Sequence, residues 1–256
     1  VAEALATIRT YEVCGVPIAA LTPQAAAQAV VDAAQRGGPF QVHLCNAYTL
    51  SLVDSDPALC DALRTADANL PDGAPVAWLG RVVGTTVSVR GPGLVGDVAR
   101  LGAGLNLRHF LYGGAPGVAE AMADRLRAHA PGLRIVGCES PPYRDLDSAE
   151  LDEVAARIND SGGQVVWVGL GTPRQDYLVP KLAVRVPAAI VPVGAAFDFW
   201  AGRVQEAPKA LHGTGLEWLY RLSREPRRLW RRYLIGNPRF VASAVRHARV
   251  ERESAS

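Results

Sequence analysis

Short apolar runs alternate along the chain with longer stretches that repeat apolar residues at helical spacing. The runs Phe40–Cys45, Asp67–Leu70, Arg108–Tyr112, Leu133–Cys138, Gln164–Val168 and Ala188–Val193 read as buried strands. Tyr11–Ala20 reads as a short strand or a hairpin. Helical spacing fills the intervals. Thr22 and Pro23 form an N-cap and first helical position that open a helix through about Gln35, which Gly37-Gly38 stops. Further helices are expected from Pro57, from Gly73 through about Val82, at Leu94–Leu101, at Val118–His129, at Leu151–Ile158 and after Gln175. Arg90-Gly91-Pro92-Gly93 reads as a break. Strands alternating with helices predict a Rossmann-like α/β core over 1–212, its mostly parallel sheet covered on both faces.

The pattern changes over 213–256. Glu217–Leu222, Arg227–Ile235 and Phe240–Val250 read as helices with no strand between them, punctuated by Pro226 and Asn237-Pro238. Leu229, Trp230, Tyr233 and Leu234 share one helical face, with Arg227, Arg228, Arg231 and Arg232 interleaved. Such a helix suits an anionic membrane interface. Packing of the same face on the core, or on a second copy of the chain, is the alternative.

Charge sharpens this division. From Arg203 to Ser256 there are 12 basic and 5 acidic residues, whereas the preceding part carries 15 and 20. A mildly acidic body with a basic end points to an anionic partner. Nucleic acid is disfavoured, because no nucleic-acid-binding motif accompanies the arginines. Cys14, Cys45, Cys60 and Cys138 form neither a CxxC nor a metal-ligand spacing, so reduced thiols in a cytoplasmic protein are expected. No apolar run reaches the length of a membrane span, and no secretory leader is visible.

Candidate chemistry gathers after the strands. Asn46 and Asp72 each follow one, so an amide and a carboxylate would share a crevice if those strands are neighbours. A carboxylate there serves as a general base; on spacing alone Asp72 could equally cap a helix. Arg90 could hold a diphosphate in fork geometry. The glycine loops Gly113-Gly114-Ala115-Pro116-Gly117 and Gly169-Leu170-Gly171-Thr172-Pro173 each lead from a strand into a helix, and either could cradle a phosphate or merely make a tight turn. Neither is G-x-G-x-x-G, which disfavours a dinucleotide oxidoreductase. A non-catalytic adaptor would use the basic tail alone. No convincing carboxylate pair suggests a glycosidase. His43 and His109 read as structural.

Taken together, several segments resemble the WecG/TagA/CpsF family, glycosyltransferase family 26, over about Tyr11 to Val250. They are Asn46, 66–73, 110–120, 168–175, 194–199 and above all 215–222 continuing through 225–240. The resemblance implies an inverting, metal-independent enzyme that needs no cofactor. It would move a sugar from a UDP-sugar to a polyprenyl-diphosphate-linked sugar at the inner face of the cell membrane. Asp72 matches the family's proposed base and Asn46 the polar residue beside it. Arg90 and Gln175 match positions near donor or acceptor. Asp198 and Tyr143 are candidates for the nucleoside, with Gly113, Gly114, Gly171 and Thr172 near the phosphates. Arg221, Arg224, Arg227, Arg228, Trp230, Arg231 and Arg232 would serve membrane and acceptor. Leu44 departs from the small polar Thr that the family often has there, which bears on the hydrogen bonding of Asn46.

Overall fold

The computed structural model describes residues 8–254 except 86, 143, 209, 210, 212 and 213, with only the backbone at 228 and 249–254. Tyr11–Ala20 closes as a hairpin of β1 (Thr10–Val13) and β2 (Val16–Ala19). Cys14 and Gly15 both take positive φ at its two-residue turn, the twist that matches paired strands.

Six strands form one parallel sheet: β3 (Phe40–Cys45), β4 (Ala68–Pro71), β5 (Arg108–Gly113), β6 (Arg134–Glu139), β7 (Val165–Gly169) and β8 (Ala189–Pro192). Their order is β4-β3-β8-β7-β5-β6. The α/β reading therefore holds. Alternate residues of a strand face opposite sides. Leu111, Val165, Trp167 and Val191 accordingly join a core under α1 (Pro23–Arg36), α5 (Gly91–Ala103), α6 (Val118–His129) and α9 (Ala196–Trp200). Phe110, Val166, Val168 and Ile190 join the other, under α7 (Ser148–Ser161) and α8 (Arg174–Ala183). A third cluster joins the hairpin to α2 (Ala47–Leu52) and α3 (Pro57–Arg64). The chain leaves β3 toward β4 on one side, while β8 receives it from β7 on the other. Their carboxyl ends consequently border a crevice of the kind where α/β sheets bind ligands.

Two boundaries differ from the sequence reading. The expected break at Arg90-Gly91-Pro92-Gly93 is the start of α5, with Arg90 at its N-cap. Proline costs nothing in a first turn, where its missing N–H would be unpaired anyway. Gly91 fits there because a Cβ would sit 3.2 Å from the Val193 carbonyl and 3.3 Å from Leu44. In the tail, α10 (Glu217–Arg224) and α11 (Pro226–Trp230) lead into a π-helical turn, Arg231–Ile235, and then α12 (Gly236–Ser254). Asn237-Pro238 therefore lies inside α12 and ends nothing. The donor that Pro238 lacks would have reached toward Leu234, where the helix is already widened.

The tail packs on the core. Phe240 of α12 is buried among the hairpin and α2, while Arg246 and His247 pair with Asp54 at 2.9 and 3.0 Å. The π turn also breaks up the apolar stripe expected there. Leu229 is buried, Tyr233 turns to a pocket, and Trp230 and Leu234 are exposed.

Gly113 and Gly114, expected near the phosphates, serve packing and are not among the residues that line the cavity described below. A Cβ on Gly113 would lie 2.5 Å from the Gly169 backbone, and one on Gly114 would strike Val118. The Gly114 N–H donates to the Gly169 carbonyl at 3.0 Å and is not available to a ligand. Gly113→Ala is expected to lower stability by at least about 1–3 kcal/mol, the cost of overpacking a tight core, as a clear drop in Tm. An unchanged Tm would show that β5 and β7 can part without cost.

Candidate active site

A cavity of about 210 Å³ opens at the carboxyl ends of β3, β4 and β8. Its floor begins with Asn46, the residue that follows β3 and caps α2. Asn46 Oδ1 accepts from the Tyr48 and Thr49 N–H groups, each at 3.1 Å, and from Thr49 Oγ1 at 3.4 Å. With the oxygen committed to the helix, Nδ2 must point the other way, and it donates to Asp72 Oδ2 at 3.4 Å. The cap thus fixes which end of the amide faces the carboxylate. Leu44 takes no part in these bonds and forms pocket wall.

Asp72 stands just past β4. Its N–H donates to the Cys45 carbonyl at 2.9 Å, and the next N–H, of Gly73, donates to Ser88 Oγ at 2.7 Å. The loop is therefore held on both sides. Gly73, with φ of 87°, takes the N-cap position of α4 (Ala74–Leu79). This leaves the Asp72 side chain out of the capping role and in the cavity. Burial holds its carboxyl above the ordinary carboxylate range. The Asn46 hydrogen bond and the charges of Arg221, Arg232 and Arg90 pull the other way.

Arginines supply most of the surrounding charge. Arg90, at the N-cap of α5, donates from Nη1 to Glu206 at 3.2 Å and lies 3.1 Å through Nε from Glu217 of α10. Arg221 and Arg232, expected to serve membrane and acceptor, line the cavity from the tail. The bend of the tail turns them inward: Arg221 rests over the Phe199 ring and Arg232 over Tyr48, at 5.5 and 4.9 Å. Both have a buried Nε with no partner among the described residues. Burial depresses the pKa of Arg232, and the Arg221 charge adds to this while Tyr233 and Asp72 oppose it. Two crowded guanidiniums beside a partly neutralised Arg90 make a site that an anion would relieve.

Gly171, Thr172 and Gln175 complete the wall after β7. Gln175 is buried and its Oε1 accepts from the Gly171 N–H at 3.0 Å, tying this loop against Gly194. Asp198 is not brought to the cavity; its carbonyl closes the turn to Arg203 and Val204. Tyr143 lies outside the described residues, as does the side chain of Arg228. Arg224, Arg227, Trp230 and Arg231 are exposed on the tail. His43 pairs with Asp176 at 2.9 Å in the core, and His109 accepts from Trp167 Nε1. Burial holds His109 down to about 4, so it stays neutral.

Tyr48, Glu206, Glu217, Trp218 and Tyr233 are not singled out as site residues by the sequence. Glu217 in a helix's first turn looks like an ordinary dipole partner, and nothing in its spacing links it to Arg90. Tyr48 was detectable, being two residues beyond the Asn46 cap.

Asn46→Ala is expected to cost about 1 kcal/mol of stability through loss of the cap. It should also raise the Asp72 pKa further by removing a donor to the carboxylate. The Asp72 carboxyl titration, followed by NMR, would then move to higher pH. An unmoved titration would detach Asn46 from Asp72.

A family model described as "Glycosyl transferase WecG/TagA/CpsF family" matches residues 11–254. A Bacillus spizizenii protein, named N-acetylglucosaminyldiphosphoundecaprenol N-acetyl-beta-D-mannosaminyltransferase, is 33% identical over 190 residues, covering 73% of this chain and 71% of its own.

Proposed function

The chain belongs to the WecG/TagA/CpsF family of glycosyl transferases, and from that premise we propose that it transfers a sugar from a UDP-sugar to a polyprenyl-diphosphate-linked sugar, with Asp72 as the base. The observation that carries the assignment is the amide-oriented carboxylate of Asp72 in a cavity ringed by Arg90, Arg221 and Arg232. The name of the Bacillus relative, which specifies an acceptor of the same class and a β-D-mannosaminyl product, supports N-acetylmannosamine as the first donor sugar to test.

In this reading Asp72 takes the proton of the acceptor hydroxyl as that oxygen attacks the anomeric carbon. The bond from that carbon to the diphosphate breaks, and UDP leaves with the electron pair. Its growing negative charge meets the guanidiniums of Arg221, Arg232 and Arg90, placed where charge develops. A raised carboxyl pKa suits a base, since proton affinity is what the step needs. Glu217, the other carboxylate on the cavity wall, is held by Arg90 at 3.1 Å and is the poorer candidate. One base and a direct displacement give inversion at the anomeric carbon. From an α-linked donor that yields the β product the relative's name describes.

No group of three or more His, Cys, Asp or Glu side chains able to hold a metal occurs among the described residues. We assign the diphosphate to Arg90, Arg221 and Arg232, which line the cavity. Trp230 and the exposed Arg224, Arg227 and Arg231 are assigned to an anionic membrane surface, which would place the enzyme at the inner face of the membrane that carries its acceptor. No described helix is long and apolar enough to cross one.

The test is UDP release from a panel of UDP-sugars, with a short-chain polyprenyl-diphosphate-GlcNAc acceptor and EDTA present. Acceptor-dependent release is the expected result. Release that requires added divalent metal would overturn the arginine assignment. Failure with every donor and lipid-linked acceptor would overturn the substrate class.

A further inference from the structure

The helix that follows the base is apolar on both sides. In α4, Val76 and Ala77 are buried, yet Trp78 and Leu79 are 42% and 41% exposed, and Val82 on the following turn is 82% exposed. A helix without a polar face is normally buried in protein or placed in lipid. This one lies beside a second exposed apolar element. The Trp78 ring closes over Gly215, where a Cβ would come within 2.6 Å of it, and Leu216 and Leu219 follow, each 51% exposed. Both segments continue directly from the cavity wall, one from Gly73-Ala74-Pro75 and the other from Gly215, Glu217 and Trp218. The patch therefore borders the mouth of the active site.

We propose that Trp78, Leu79 and Val82 of the α/β core, joined by Leu216 and Leu219 at the start of the tail, form a second membrane-insertion surface apart from the arginine stripe. It sinks into the acyl boundary of an anionic bilayer and sets the height of Asp72 above the headgroups. The occupant is argued from charge and continuity. Arg81 is exposed between Leu79 and Val82, and Arg224 is exposed at the end of the helix that carries Leu219. A two-fold dimer through this patch would bring Arg81 and Arg224 of both copies into one interface, four like charges around a single axis. Against anionic headgroups the same arginines are matched. The proposal rests on transfer to a lipid-linked acceptor, because only such a substrate requires Asp72 to work at a fixed depth.

The test uses the full chain carrying Leu79→Glu with Val82→Glu, two exposed positions outside the cavity lining. Partition onto phosphatidylglycerol-rich vesicles is expected to fall at least about tenfold, since apolar burial in lipid is replaced by two charges. Turnover of a water-soluble short-chain acceptor should stay at the wild-type level, while turnover of a long-chain acceptor embedded in the same vesicles should fall with the partition. As a second readout, Val82→Cys in a Cys60→Ser, Cys138→Ser background carries an environment-sensitive fluorophore, expected to shift to the blue on vesicles. Unchanged partition, or no shift, would overturn the proposal. So would a light-scattering measurement in which the paired substitution only converts a dimer to a monomer. If vesicle binding behaves as expected while no donor is ever turned over, the surface stands and the proposed reaction fails.

Discussion

Asp72→Asn is expected to retain the fold and the binding of UDP while losing transfer by roughly 10²–10⁴-fold, the usual worth of a positioned general base. The geometry makes this substitution unusually clean. The Asp72 backbone is tied to Cys45, and its neighbour Gly73 to Ser88, through main-chain N–H groups that the change leaves alone. Asn46 is held by the α2 cap independently of Asp72. Stability gives a second, opposite sign. Burial raises the Asp72 pKa in the folded state. The associated stability is present below the ordinary carboxylate range and is lost as pH rises through the folded-state value. Asparagine carries no such cost. The variant should therefore melt at or above the wild-type temperature at neutral pH, with the difference closing as the solution is made acidic. Loss of activity with a lower Tm at neutral pH would indicate disruption of the loop, and near-normal transfer would remove Asp72 from the role.

The strands and most helices were legible because their apolar periods are strong and their caps local. Thr22 before Pro23 marks α1 by itself, and its side chain accepts from the Ala25 N–H as such a cap does. Gly91-Pro92-Gly93 misled because glycine and proline signal both a break and a helix start; only the packing of Gly91 against Val193 and Leu44 separates the two. The same ambiguity governs the glycine loops. Gly171 lines the cavity, but Gly113 and Gly114 answer to the closeness of β5 and β7, a tertiary fact that no short window contains. At the site, Asn46 and Asp72 were visible as residues that follow strands, and the sheet order made them neighbours. The tail arginines were visible only as a basic stripe. Their division into two inward and several outward groups depends on the π turn and on Tyr48 and Phe199, which offer aromatic faces to Arg232 and Arg221.

That division leads to the second large effect. Arg221→Ala with Arg232→Ala is expected to lower kcat by roughly 10²–10³-fold, the loss typical when a group stabilising developing charge is removed. The paired change should exceed Arg224→Ala with Arg227→Ala, whose side chains are exposed on the same tail. With a water-soluble acceptor the outer pair should matter little, because solvated charges contribute little at a distance. The inner pair should also shift the acid limb of the pH profile upward, since both guanidiniums lower the Asp72 pKa. A Tm measured beside kcat separates folding from chemistry, because the paired change removes the repulsion between Arg221 and Arg232 but also their contacts with the Phe199 and Tyr48 rings. A double variant that keeps wild-type kcat would move leaving-group stabilisation to Arg90 alone and leave the tail a purely docking role. A large loss in kcat with little change in donor KM would place both arginines at the transition state, making the tail a working part of the active site.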